Sequence, residues 1–433
     1  MQNILADFQA ISDADWRSKL TRDLKGVTFE ELQRLDDNNI IIKPFYTKAP
    51  ENAQPLFQHT DWEILEWVEV EEEAAANALA LQALSRGANA LHFELKKENC
   101  DWARLFQNID LAIIHTYISG LPKDAEVTLQ AYLQPLALPT TAVNWGQDAI
   151  ASYVQSANII YKDNIVAQNQ NLFIDASAYL NAGSPSVQQL AYALAHLQEY
   201  LHQFEQAGAL PEINCIHLQV AVGTAFFEEI AKLRALRQLV ALLLEQYGLD
   251  LPVKIHVVTA ALYKATVDVY NNMLRDTLAG MAAVLGGCNS LYISPFDYKQ
   301  AKSNPAFSQR MSINQQLMMK EESFFNQVAD AAQGSFYIEE LTQALANQAW
   351  EHFKAIEREG GILAYFEQGK LVAEIITKAE ILIAAYQSGK KPWIGVNKYP
   401  LEPVPANTAE QRVLSKDVVR PLELMHFIVA ANQ

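Results

Sequence analysis

Asp175 closes the segment LFIDAS (172–177) and is the carboxylate best placed to act as an acid or a base. A carboxyl group at the end of a buried apolar run projects where a parallel strand stops, which is where α/β barrels keep their chemistry. His256 in KIHVV (254–258) and His217 in CIHLQV (215–220) stand on two further apolar runs. An imidazole titrating near neutrality can give or take a proton there. A lone histidine inside such a run is more often packed and hydrogen-bonded, and no spacing joins these three residues to a nucleophile. His196 and His202 lie six apart on one helical stretch, off each other's face, and make a poor metal pair. His59, His92, His115, His352 and His426 have no partner that spacing identifies. Cys100, Cys215 and Cys288 stand far apart without a CxxC pair and read as free thiols in a reducing compartment. There is no GxGxxG after a strand, no phosphate-binding Walker loop, no HExxH and no GxSxG. Gly286-Gly287 follows a helical stretch and reads as its cap. The acidic run Glu69, Glu71, Glu72 and Glu73 begins a helix, where negative charge suits the dipole. Taken alone, these residues name no reaction.

A frame that gathers strand ends is needed to bring Asp175, His217 and His256 to one place. Residues 61–330 supply the pattern for it. Apolar runs at Trp62 to Val70, Ala90 to Leu95, Leu111 to Ile118, Leu172 to Ala176, Cys215 to Val220, Val253 to Val258 and Ser290 to Ile293 read as strands. Amphipathic stretches at Glu71 to Ser85, Ser186 to Gln206, Ala225 to Gln246 and Val267 to Leu285 read as helices between them. Short continuous apolar strands followed by helices are parallel strands covered on both faces. Repetition of about eight such units favours an α/β fold of the closed (β/α)8 TIM-barrel type over an open sheet. No strand is assigned between Leu121 and Gln168.

Residues 1–60 read as an arm outside this repeat. It has a polar helix around Asp13 to Lys25 stopped by Gly26, a short helix near Phe29 to Leu35, and an extended IIIKPFY (40–46). Residues 331–433 turn helical. Leu341, Leu345, Trp350, Phe353 and Ile356 mark a helix over Ser335 to Glu359, Gly360-Gly361 breaks it, and a second helix covers Leu371 to Tyr386. The Pro-rich KPWIGVNKYPLEPVP (391–405) reads as an extended strap, and Thr408 to Phe427 as a closing charged helix.

Half of the 433 residues are hydrophobic, enough for a large core, and 33 basic against 50 acidic residues leave a net charge of −17. Such a surface repels phosphate backbones and argues against a nucleic-acid partner. The N-terminal MQNILADFQAISDADW carries acids and no continuous apolar core, unlike a signal peptide. The longest apolar stretches, such as Leu239 to Leu244, fall far short of the ~20 residues that span a membrane. A soluble, cytoplasmic protein is expected.

Several stretches, in order, resemble the methylmalonyl-CoA mutase family. They are WRSKLTRDLKG (16–26), IIIKPFY (40–46), AKLRALRQL (231–239), DVYNNMLRDTLAGMAAVLGGCNSL (268–291), YIEELTQALANQAWEHFKAIEREGG (337–361) and GVNKYP (395–400). Catalytic members use adenosylcobalamin to rearrange a carbon skeleton, with the acyl-CoA along the barrel axis and the corrinoid over the C-terminal mouth. Matched on Ala182-Gly183, Ser177 and Ala178 stand where the resemblance expects a Tyr-His pair. His256 fits the family histidine, but Val258 replaces a substrate-binding glutamine, and Ser294 and Tyr298 replace an asparagine and a glutamate. PLFQHTDW (55–62) lacks an inserted tyrosine loop, and Asp330-Ala331-Ala332 stands in place of Asp-Pro-Trp. Removing one well-placed donor from such a site costs about 10²–10³ in rate.

The resemblance also implies a cobalamin-binding domain with an Asp-x-His-x-x-Gly motif. No histidine here has Asp two residues before it, and 33 residues follow GVNKYP, short of a domain of about 100. The implied protein is the small, beta-type subunit of a heterodimeric methylmalonyl-CoA mutase. Its large partner subunit would hold adenosylcobalamin and interconvert methylmalonyl-CoA and succinyl-CoA. This chain is then expected to be inactive and to bind neither cofactor nor metal. Its arm would wrap the partner, and Asp175, Ser177, Ala178, His256, Val258, Ser294 and Tyr298 would be vestigial pocket positions. Two alternatives remain: a barrel that binds or converts an acyl-CoA at a reshaped mouth through Asp175, His256 and Tyr298, and a homodimer formed when the chain is expressed alone.

Overall fold

Apolar runs too short for a helix can bury both faces only by lying side by side under a shell of helices. The computed structural model, which describes residues 11–47, 55–139, 141–158, 171–299, 305–401 and 414–431, is built that way. In the arm, β1 (Arg34–Leu35) and β2 (Ile41–Ile42) form a small antiparallel hairpin. Eight parallel strands follow: β3 (Glu63–Val70), β4 (Ala90–Leu95), β5 (His115–Ser119), β6 (Val143–Trp145), β7 (Asn171–Asp175), β8 (Cys215–Val222), β9 (Val253–Thr259) and β10 (Ser290–Tyr292). Neighbours in sequence pair from β3 to β6 and from β7 to β10, and β10 returns to pair with β3, as expected for a (β/α)8 barrel. The ring is nearly closed. Among the described residues β6 and β7 share no backbone ladder, and side chains bridge that seam instead.

Seven of the eight strands coincide with the apolar runs. The eighth, β6, is only three residues long and carries Asn144 at its centre, too little pattern to stand out. β5 begins four residues later than expected because Asp110 holds Leu111 to Ile114 in a turn, its carboxylate and carbonyl accepting from Ala112, Ile113 and Ile114.

Two sectors of core lie outside the ring. One joins helices Ser186–Gln206, Phe226–Gln246 and Phe336–Arg358 to β7–β9 through residues such as Leu194, Leu218, Leu236 and Leu345. The other joins helices Glu73–Ser85, Trp102–Leu105 and Lys123–Leu133 to β3–β6 through Val68, Phe93, Leu105 and Leu129.

Outside the barrel the structure corrects several expectations. The helix expected near Phe29 to Leu35 is a single 3-10 turn, Glu30–Leu32. The chain then enters the hairpin because the Asp36 carboxylate accepts from the Asn38 and Ile40 amides, while Asn39 takes a left-handed φ of 61°. The strap does not run extended through GVNKYP. Asn397 accepts from the Trp393 amide and donates to the Tyr386 and Lys391 carbonyls, curling the segment so that Trp393 and Val396 are buried. Of the helix expected over Thr408 to Phe427, residues 408–413 lie outside the described residues, 414–423 are not helical, and the helix is Leu424–Ala431. A further helix, Gly361–Glu367, starts directly at the glycine pair, where Gly360 and Gly361 both hold positive φ. No helix among the described residues is long and apolar enough to cross a membrane.

Candidate functional site

Alternate residues of each barrel strand point inward, so the axis is lined in layers. The lower layer is organised by Glu63 of β3, which pairs with His115 Nδ1 at 2.5 Å and accepts the Tyr117 hydroxyl at 2.7 Å. Burial alone would raise this carboxyl, but the His115 and Tyr117 hydrogen bonds outweigh it and hold it below its ordinary range.

Three imidazoles fill the next layers. His256 of β9 bonds through Nδ1 to Ser290 Oγ at 2.7 Å and through Nε2 to His217 Nδ1 at 2.9 Å. His217 of β8 stacks on Phe173 of β7, centroids 4.5 Å apart and planes within 6°. Across the ring His92 of β4 stacks on Trp67 at 3.6 Å, and its Nε2 meets Ser119 Oγ at 2.8 Å. Burial pushes His256 down to about 4 and His92 to about 3, and puts His217 well below the ordinary value, so all three are neutral at pH 7. They line a cavity of about 250 Å³ whose walls also carry Asp175, Gln219 and Glu94. Among the described residues no trio of His, Cys, Asp or Glu is set to hold a metal.

The seam beside this cavity is tied by one carboxylate. Asp148 Oδ2 accepts the Asp175 amide and pairs with His196 Nδ1, both at 2.8 Å, while Oδ1 accepts the Tyr200 hydroxyl at 2.8 Å and the Ala151 amide at 2.9 Å. His196 Nε2 in turn meets the Tyr179 hydroxyl at 2.7 Å. His196 is thus a buried structural link. Burial alone would raise the Asp148 carboxyl, but the His196 charge and these donors hold it low. Gly146, just past β6, is where Phe173 crosses the seam, and a Cβ there would lie 2.1 Å from the Phe173 ring. Gly146→Ala is therefore expected to displace that ring from its stack on His217 and to cost about 1–3 kcal/mol by overpacking. Urea denaturation measures the loss, and an unchanged midpoint would contradict it.

Of the positions expected at a pocket, Asp175 and His256 do line the cavity. Asp175 Oδ1 accepts both the amide and the hydroxyl of Ser177, at 2.9 and 2.5 Å. Burial raises its carboxyl, the Ser177 bonds only partly offset that, and the nearby Asp148 charge adds to the rise. Ala178 packs on the main core, and Val258 packs with Leu180, Ala221, Ala260 and Tyr263. Ser294 meets Thr259 Oγ1 at 3.2 Å and gives its carbonyl to Lys264. Tyr298 is 43% exposed, with the Lys264 and Lys299 ammonium groups near its ring. These last four do not line the cavity.

The mouth above β7–β9 is covered by the chain itself. The Asn181 side chain accepts from the Ala261 and Leu262 amides, and its carbonyl accepts from Leu422. These bonds stitch the turn after β7, the turn after β9 and the C-terminal segment over the cluster of Val258, Leu180 and Tyr263. The sequence does not reveal the contact between His217 and His256 or the membership of His92 and Trp67. One signal was present: ALH, CIH and KIH each place histidine after an apolar residue that faces the helices.

The family model described as methylmalonyl-CoA mutase matches residues 149–424. The methylmalonyl-CoA mutase small subunit of Porphyromonas gingivalis is 27% identical over 92% of this chain and 71% of its own length. The probable methylmalonyl-CoA mutase small subunit of Mycobacterium bovis is 28% identical over 79% of this chain and 60% of its own. The methylmalonyl-CoA mutase large subunit of Propionibacterium freudenreichii subsp. shermanii is 37% identical, over 52% of this chain and 32% of its own. The matched region thus spans well under two thirds of that large subunit.

Proposed function

Because the chain belongs to the methylmalonyl-CoA mutase family, we propose that it is a small, non-catalytic subunit pairing with a large subunit that carries the isomerisation. The observation that carries this reading is the plugged mouth. Val258 and Ala221, at the C-terminal ends of β9 and β8, pack with Leu180, Ala260 and Tyr263 where the resemblance would thread an acyl-CoA. Ala178, where a hydrogen-bonding histidine is expected, can neither donate to nor polarise a thioester carbonyl.

The residues at the mouth do not fit a corrinoid. The turns at Asn181 and Ala261, tied to Leu422, lie across that face. Adenosylcobalamin therefore belongs, in this reading, to the partner. The role of this chain is to bury partner surface. Its arm is suited to that: helix Asp13–Asp23 buries none of its residues, and Ile11, Leu35, Ile41 and Phe45 are each at least 50% exposed. The cavity that remains presents carboxylates and, among the described residues, no lysine or arginine, which gives little support to acyl-CoA binding by this chain.

The purified chain is expected to show no conversion of methylmalonyl-CoA to succinyl-CoA with added adenosylcobalamin, and to retain no cobalamin absorbance after gel filtration. Mixed with a large mutase chain from the same source it should co-elute as a heterodimer. Turnover by the isolated chain would overturn the proposal, as would failure to associate with the large chain.

A further inference from the structure

His217 is 1% exposed and borders the barrel cavity, and among the described residues its Nε2 meets no hydrogen-bond partner. Its Nδ1 is committed to His256, whose own Nδ1 is committed to Ser290, so rotation within this relay cannot satisfy the orphan. A buried ring nitrogen left unpaired is costly, and a ligand that bonds to it would recover that cost. The relay has two proton arrangements. When His256 donates to Ser290 Oγ, His217 donates to His256 and presents a bare lone pair at Nε2.

The walls decide which ligand suits that lone pair. Asp148, Asp175 and Glu94 line the cavity, and among the described residues no lysine or arginine does. Asp175 is bonded by neutral donors, the Ser177 amide and hydroxyl and the Gln219 side chain. Glu94, at the rim, shares its charge with Lys96. A carboxylate or phosphate would meet this field with no cation to offset it, because the three imidazoles are neutral. An ammonium ion would meet opposite charge, and the rings of Trp67, Tyr117 and Phe173 border the same space and suit a cation. At about 250 Å³ the cavity has the volume of roughly eight waters, enough for a small molecule with one ring.

We propose that the barrel cavity is a binding site for a small primary amine in its ammonium form, its N–H groups held by His217 Nε2 and the Asp175 carboxylate and its body lying among Trp67, Tyr117 and Phe173. Gln219, two residues along β8 from His217 and opposite Asp175 across the ladder, lines the cavity beside both anchors. The site serves no step of the mutase reaction and does not depend on a partner subunit. Its success or failure therefore leaves the proposed assembly role untouched.

The test titrates the whole chain with benzylamine, benzyl alcohol and benzoate, three probes of nearly one shape and different charge. Calorimetry should show benzylamine binding at least tenfold tighter than benzyl alcohol, and benzoate not binding. Benzylamine should also move the ¹⁵N imidazole resonance of His217 Nε2 in the unaltered protein, a readout that needs no variant to fold. Asp175→Asn should erase the preference for the amine over the alcohol, and His217→Phe, which keeps an aromatic ring on Phe173, should weaken both. Benzoate binding as tightly as benzylamine would overturn the proposal. So would no binding of benzylamine, or binding that leaves the His217 resonance in place.

Discussion

Replacing Arg234 by alanine is expected to destabilise the protein by about 3–5 kcal/mol, because it strands two buried carboxylates. Arg234 lies in helix Phe226–Gln246 with its side chain fully buried. Its guanidinium bonds to Asp330, and to Glu339 Oε1 at 2.7 Å. Both acids are committed elsewhere as well. Asp330 Oδ2 accepts the Leu56 amide at 3.0 Å, and Glu339 Oε1 accepts the Gly334 amide at 3.0 Å. One cation thus joins the chain entering β3, the link after the barrel and the start of helix Phe336–Arg358. Lysine in its place should restore little, since one ammonium cannot reproduce the fork that spans two carboxylates. Arg234→Met combined with Glu339→Gln should recover part of the loss by removing one orphaned charge. Chemical denaturation reads these values, and a loss under about 1 kcal/mol for Arg234→Ala would show that the network does not matter.

Glu66→Gln should stabilise the protein, but only at neutral and higher pH. Glu66 of β3 faces the helix Pro305–Leu317, is 5% exposed, and accepts one hydrogen bond, from Gln309 Nε2 at 2.9 Å. Burial pushes its carboxyl up to about 7, only partly offset by Gln309 and by the Arg86 charge beyond it. A carboxyl raised in the folded state favours folding while it is protonated. Its contribution is complete below the unfolded value near 4.3 and is lost as pH rises through about 7. Glutamine keeps the acceptor for Gln309 and has no charge to lose. The stability difference, variant minus unaltered protein, should therefore grow by about 2–3 kcal/mol between pH 5 and pH 8. Thermal unfolding at the two pH values checks it. A difference that shrinks with rising pH would mean that Glu66 is ionised and favourably paired in the folded protein.

The motifs that carried the family resemblance do not gather around the cavity. AKLRALRQL supplies Arg234, and also Lys232, whose ammonium donates to Gln189 and to the Ala221 carbonyl. DVYNNMLRDTLAGMAAVLGGCNSL supplies Asn272, which accepts the Ala265 amide and donates to the Ala265 and Phe296 carbonyls, and Asp276, which pairs with buried Lys264. Asp330, first of the Asp-Ala-Ala that stands in place of Asp-Pro-Trp, serves Arg234. These residues hold helices and connections to the ring. They are legible as a family signature because a buried ion or a doubly bonded asparagine tolerates few replacements.

The strands were legible for a different reason. A parallel strand covered on both faces must be apolar along its length, so ALHFEL, CIHLQV and KIHVV announce themselves from local composition. The alternation with helices then leads to a barrel, and the order of strands follows because sequential βα units lie side by side. Contacts across the ring have no such local trace. His217 meets His256 because β8 and β9 pair with Gln219 opposite His256, and a shift of one residue would turn one ring toward the helices. The seam at Asp148, the stack of Phe173 on His217 and the cover over Val258 all join residues far apart in sequence. Spacing and periodicity are properties of a few neighbouring residues, whereas the identity of a site is set by ring closure. The resemblance accordingly marks positions such as Ala178 and Val258 as altered. It took the folded barrel to show that three neutral imidazoles and the carboxylates of Glu94, Asp148 and Asp175 line what remains of the mouth.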